Sequence, residues 1–273
     1  MRHRRTILAI ACVIIGVSCG RGDDGRGSRD MSADTIPDAA YTSRPGISPY
    51  REVAITQYGR IEGEVRLESS ARDTMVIVTR NADLCGERIP EGAIVAPTGG
   101  LQNVVVWLTD AREGKPLPDS RRFEVTNARC RYVPRVQGVI VGGTLNVKSA
   151  DPVVHETVFR VSGSAQPLET VTQNADGQVV PLDSVLAHPV RLELNCRTHP
   201  WSGGSIHVFD HPYFAVSAAN GRFVLDSIPP GDYTMRTWHE RMGSTSREVR
   251  IEDGRIARVE VKYRVDCGLR IAD

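Results

Sequence analysis

No apolar run in this chain is long enough to cross a bilayer as a helix. The longest uninterrupted stretch in the 273 residues, 7–17, has eleven, against the roughly 20 that a hydrocarbon core requires. Neither sign of charge prevails either, with 34 Lys and Arg against 33 Asp and Glu. No basic block is interleaved with aromatics, which argues against a nucleic-acid partner. Also missing are a Gly-x-Ser-x-Gly elbow, a His-Glu-x-x-His helix and a glycine-rich phosphate cradle. With none of these catalytic constellations, the chain is expected not to be an enzyme. A sustained helical period is absent as well, which excludes bundles and coiled coils.

What is present begins with an export signal. Arg2, Arg4 and Arg5 form a positive start, followed by the apolar stretch 7–17 and small residues. The run closes on Gly16-Val17-Ser18-Cys19, which resembles a bacterial lipobox, although Gly16 stands where leucine is usual. The resemblance implies cleavage before Cys19 and its lipidation, giving a protein held at the membrane of the cell envelope, on its periplasmic or outer-membrane face. An ordinary cleaved signal with an incidental cysteine is the other reading. Residues 20–55 are Gly, Asp, Arg, Ser and Pro with little apolar content, a composition expected of a disordered tether.

From residue 58 the pattern changes to short alternating segments rich in Val, Ile, Thr and aromatics, punctuated by Gly, Pro, Asn and Asp. Strands are expected at 60–67, 102–108, 135–141, 144–148, 190–195, 206–209, 222–225, 233–238, 247–251 and 257–263. So many short strands at regular spacing predict an all-β chain built from sandwiches.

One group of residues carries chemistry. Arg191-Leu192-Glu193-Leu194-Asn195-Cys196-Arg197-Thr198-His199-Pro200-Trp201 places a cysteine at a strand end and a histidine three positions later. His155 lies upstream, after the strand expected at 144–148. This order resembles plastocyanin-like cupredoxins over residues 118–212. The resemblance implies a Greek-key sandwich with one type-1-like copper ion held by His155, Cys196 and His199. A soft thiolate and two neutral imidazoles suit copper and permit one-electron exchange with little rearrangement. The family's axial methionine has no counterpart, because Ser202, Gly203 and Gly204 occupy that stretch. A backbone carbonyl, a water, Glu156 or Ser202 is left for the axial position, and Trp201 is expected to shield the site or simply to pack. Zinc is the rival ion. His207, His211, His188 and His239 rank well below these three, and seven histidines in all are too few for a multicopper cluster.

The flanks look like a second family. Gly59-Arg60-Ile61-Glu62-Gly63-Glu64-Val65, the Asn220-Gly221 turn, Phe223 and Pro229-Pro230-Gly231-Asp232-Tyr233 resemble the carboxypeptidase-regulatory, transthyretin-like sandwich. The resemblance covers only that accessory β-module and brings no peptidase residues. It implies a discontinuous outer sandwich, 56–115 plus 213–265, with the cupredoxin-like segment inserted. Two tandem modules divided near residue 211 remain the alternative.

Cysteine use follows from these resemblances. Cys12 leaves with the signal and Cys19 is the expected anchor. With Cys196 given to metal and Cys267 in a polar tail, Cys85 and Cys130 are expected to form a disulfide, as export favours. A Cys130 to Cys267 bridge stays open. The expected function is an envelope-anchored copper protein that transfers single electrons to a partner protein or holds the ion. The alternative is a metal-free surface module that binds carbohydrate or protein. Nothing in the sequence speaks to oligomeric state.

Overall fold

The structure, a computed structural model, describes residues 50–68, 72–174 and 176–264. The signal and lipidation expected at 1–19 with Cys19, most of the tether and Cys267 lie outside the described residues. The chain is all β, and its one α-helix among the described residues is the single turn Ala82–Cys85. No described helix is long and apolar enough to cross a membrane.

Residues 122–209 form two facing sheets. One has the order Val179–Leu182, Thr144–Ser149, Arg122–Ala128, Arg131–Val133, and the other Pro167–Gln173, His155–Val161, Val190–Cys196, Gly203–Phe209, Val136–Ile140. Each contains one parallel pair, Thr144–Ser149 with Arg122–Ala128 and Gly203–Phe209 with Val136–Ile140. Alternation decides what faces inward. Leu145 and Val147 on one strand, Thr157 and Phe159 on a second, and Leu192 and Leu194 on a third are all buried. Their apolar members fill a core with Val139, Ile206 and Val208.

The other strands pair only among themselves. Gly59–Leu67 lies between Arg222–Ile228 and Ile256–Tyr263, and Val105–Leu108 between Phe214–Val216 and Gly231–His239, which carries Gly243–Ile251 on its far side. Strands from both ends of the described chain therefore build one core, around Ile61, Leu108, Tyr213, Leu225 and Met235. Gly63 is needed here. It faces Phe223 across the ladder, and a Cβ on it would stand 2.1 Å from the Phe223 ring. In the Asn220-Gly221 turn only Gly221 has positive φ, at 78°. The Gly221 N–H donates to Ala218 O, and the Asn220 side chain accepts from the Arg222 N–H, in a tight turn that carries the chain from one sheet to the other.

The two sandwiches meet at Val105, Trp107 and Trp238 on one side and Val136 and Phe209 on the other. Arg135 crosses the junction with two bonds to the Glu240 carboxylate, at 2.7 and 2.8 Å. Residues 50–52, expected to belong to the tether, pack instead. Arg51–Glu52 pairs in parallel with Glu113–Gly114, and Tyr50 donates to the Lys115 carbonyl at 2.6 Å.

Expected strands differ mainly at their ends. The strand expected at 102–108 starts only at Val105, because Asn103 adopts φ 64°. That expected at 206–209 begins at Gly203, where glycines of low β propensity are held by pairing with Leu194 and Asn195. Arg122–Ala128, His155–Val161, Pro167–Gln173 and Val179–Leu182 were not among the expected strands.

Gly63→Val is expected to destabilise the chain by about 1–3 kcal/mol through the clash with Phe223, read as a lower urea midpoint, with partial rescue by Phe223→Leu. A pH effect follows from His207, His211 and His239, all buried. Burial pushes each below the ordinary imidazole value of 6.5, His211 and His239 to about 4. Unfolded histidines take up protons near 6.5 and these do not, so the unfolded state binds more protons across that window. Stability is therefore expected to fall as pH drops from 6.5 towards 4, by at most ~1.4 kcal/mol per pH unit for each histidine. Urea titrations at pH 7, 6 and 5 check this, and His239→Gln should flatten the slope.

Candidate metal centre

The centre is built at one end of the inner sheet. Cys196 continues the inward-facing row of Leu192 and Leu194 as the last residue of its strand, and Thr157 lies directly opposite it. His155 is the first residue of the strand His155–Val161, two positions before Thr157 and on the same face. Alternation along neighbouring strands thus brings thiol and imidazole to one end of the core.

His199 arrives by a turn. The Ser202 N–H donates to His199 O at 2.8 Å, and Pro200 occupies the second turn position, where its fixed φ stiffens the loop. The Cys196 N–H donates to Ser202 O at 3.3 Å, extending the ladder past the Asn195–Gly203 pair.

Three donor atoms converge. His199 Nδ1 lies 3.1 Å from His155 Nδ1, and Cys196 Sγ lies 3.8 Å from His155 Nδ1 and 3.6 Å from His199 Nδ1. Both histidines have no exposed surface, and Cys196 is 2% exposed. Cys196 is the free, buried cysteine of the described residues.

The far nitrogen of each ring has its own partner. His155 Nε2 donates to Asp151 Oδ2 at 3.0 Å, and His199 Nε2 donates to Asn81 Oδ1 at 3.2 Å. Those acceptors keep the protons on Nε2 and leave both Nδ1 atoms as lone pairs. Burial lowers the pKa of both rings. His199 falls to about 4, with the neighbouring His155 adding to the effect, and His155 falls although Asp151 opposes the shift. Two neutral imidazoles therefore point lone pairs at each other across 3.1 Å, and the Cys196 thiol has a single proton to offer the pair. A cation among the three atoms resolves this arrangement. The point equidistant from atoms so spaced lies about 2.0 Å from each, close to the bonds that a first-row transition metal makes to imidazole, and somewhat short of those to thiolate. The donor set fits a trigonal copper site in type and in size.

Asp151 and Asn81 are themselves held at some cost. Asp151, 2% exposed, accepts the N–H groups of Arg129 and Cys130 at 2.7 and 2.8 Å, from residues with φ of 50° and 58°. Asn81 precedes the turn Ala82–Cys85 with φ 52°, and its side chain makes no capping bond to that turn. Its amide is committed to His199, and a capping interaction ordinarily worth ~1 kcal/mol is given up. A disulfide joins Cys85 to Cys130 and so ties the segment carrying Asn81 to the hairpin whose amides hold Asp151. Behind Cys196, Tyr132 donates to Thr157 Oγ1 at 3.1 Å, and Asn127 donates to Gln173 Oε1 at 2.8 Å.

The other candidates fall elsewhere. Glu156, offered above as an axial ligand, is the next residue along the strand from His155, so its side chain leaves on the opposite face, where it pairs with Arg197. The pleat thus places it outside the group of converging donors. Ser202 is 1% exposed beside Cys196, and its hydroxyl has no hydrogen-bond partner among the described residues. Trp201 stacks edge-on against His199 with ring centres 5.3 Å apart and packs with the disulfide. His207 and His239 lie buried outside the group, and His211 accepts the Tyr213 N–H. Neither Asp151 nor Asn81 was expected from sequence. Asp151 could have been flagged by its place four residues before His155, whereas Asn81 stands 118 residues from its partner.

No protein-family model matches the chain, and no curated protein matches it. Among solved structures, a copper-containing nitrite reductase from Thermus scotoductus SA-01 is similar over 38% of this chain and 24% of its own, at 21% identity and a TM-score of 0.29. The chain thus spans about a quarter of that reductase. A purple cupredoxin from Nitrosopumilus maritimus is similar over 32% of this chain and 99% of its own, at 15% identity and a TM-score of 0.28. A reduced amicyanin variant is similar over 34% and 86%, at 20% identity and a TM-score of 0.29.

Asp151→Asn and Asn81→Ala are each expected to weaken Cu(II) binding about 10- to 100-fold while the fold is kept. Competition titration against a chelator, with far-UV circular dichroism as the control for folding, checks both.

Proposed function

We propose that the chain is a copper protein of the cupredoxin kind, exported and lipid-anchored at the cell envelope through Cys19, that transfers single electrons to a partner protein or holds the ion. The observation that carries this is the triangle of His155 Nδ1, His199 Nδ1 and Cys196 Sγ, with both far nitrogens tied to acceptors. On this reading His155, Cys196 and His199 hold one ion. Bound copper would supply a Cu(II)/Cu(I) couple with thiolate character.

The protein's part is to keep the donors still and dry. Asp151 and Asn81 fix the tautomers, so neither histidine needs to lose a proton on metal binding, and only the thiol does. The sandwich core and Trp201 keep bulk water away, which lowers the reorganisation that accompanies a change of charge. Three donors, all in one group and with no fourth acidic, cysteine or histidine ligand among the described residues, favour copper over a closed tetrahedral zinc site. The strands drawn from 59–108 and 214–263 form, on the same proposal, a carboxypeptidase-regulatory-like scaffold into which the copper module of residues 118–212 is inserted.

The test is the visible and EPR spectrum and metal content of the Cu(II)-loaded protein beside Cys196→Ser. An intense thiolate-to-copper band with one equivalent of copper, both lost in Cys196→Ser, is expected. Stoichiometric zinc, or copper bound equally by Cys196→Ser, would overturn the reading, and binding of no metal would leave a metal-free binding module as the better account.

A further inference from the structure

The disulfide beside the centre is more than a clamp on its supports. Both of its sulfurs and a ring nitrogen of His199 lie within 4.8 Å of one another, and all three residues are buried. Two cysteines and a histidine are donors that soft and borderline metals select. While the sulfurs are bonded to each other they are not such donors, because the ligand form is the thiolate. Reduction changes this. A dithiol delivers two electrons and two protons, the S–S bond breaks, Cys85 and Cys130 become thiols, and the dithiol becomes a disulfide. Metal binding then displaces the two thiol protons.

We propose that Cys85, Cys130 and His199 form a second, redox-gated metal site that takes a thiophilic d10 ion, Cu(I) or Zn(II), once the disulfide is reduced. The sulfurs do not depend on their bond to stay together. Cys85 is embedded with Val78, Leu84 and Ile89, and Trp201 packs on the same cluster. The Cys130 amide is held by the Asp151 carboxylate. Arg131, beside it, donates to the carbonyl of Pro90, which ends the strand after the Cys85 turn. The Asp73 carboxylate accepts from the Gly92, Ala93 and Ile94 amides just beyond that strand. His199 is the imidazole donor of this group. It is common to both donor sets, so the thiol state of Cys85 and Cys130 governs whether an ion at His199 meets one thiolate or a competing pair.

The proposal shares only His199 with the copper centre, and Cys196→Ser separates the two. The full chain carrying Cys196→Ser is refolded with dithiothreitol, desalted without oxygen and titrated with Cu(I) or with Zn(II) against a competing chelator. The air-oxidised form and a reduced Cys85→Ser/Cys130→Ser chain in the same background are the controls. The reduced chain is expected to bind one equivalent more than either control, at least 100-fold more tightly than the oxidised form, and His199→Ala to weaken that binding tenfold or more. The two titrations decide which ion is preferred. Equal binding by the reduced chain and the double-serine control, binding of neither ion, or loss of near-UV circular dichroism on reduction would overturn the proposal. Failure of the copper spectrum in the unsubstituted protein, with reduced-state binding intact, would sink the proposed function and leave this site standing.

Discussion

Two imidazole lone pairs held face to face across 3.1 Å beside a buried thiol are the constraint around which this end of the protein is arranged. Left alone, either ring would turn or take up a proton. It is prevented from turning by Asp151 on one side and Asn81 on the other, and from protonating by burial. The supports are bought with unusual backbone, since Asn81, Arg129 and Cys130 all have positive φ without being glycine. Such conformations cost of order 1–3 kcal/mol each and persist where the surroundings over-determine them. Here a disulfide, a buried carboxylate and a packed hairpin do so together.

The two sandwiches contribute differently. The inner one supplies rigidity: an alternating core face runs through Leu192 and Leu194 and ends at Cys196 with no loop between core and site. The outer one shares a small aromatic junction with it and the Arg135 to Glu240 bridge. A cleft of 360 Å³ opens beside that bridge, lined by Arg135, Glu240, Trp238 and Trp201. Trp201 touches both the cleft and His199, so the outer module bounds the space next to the centre although it offers no donor to it.

Strands with plain period-two alternation or β-branched runs, such as Gly59–Leu67, Thr144–Ser149 and Ile256–Tyr263, were legible in the sequence because local pattern and tertiary burial agree there. Pro167–Gln173 was not, being an edge strand that starts on proline and exposes most of its side chains. His155–Val161 was not legible, since a histidine sits where its first apolar residue would be. Glu156 shows the limit of proximity in sequence: it adjoins a donor, yet the pleat sends its side chain to the opposite face.

By itself the sequence determined that the chain is all β, and it brought forward Cys196 and His199 as a pair and His155 as their companion. Donor chemistry and strand pattern are local properties and survive without coordinates. Tertiary structure alone decided which way each imidazole presents its lone pair, because that depends on acceptors that come from elsewhere in the chain. Asn81 reaches His199 across 118 positions, and Asp151 is held in place by amides of a different hairpin. No pattern in one dimension encodes which nitrogen of a ring keeps its proton. Packing in three dimensions does.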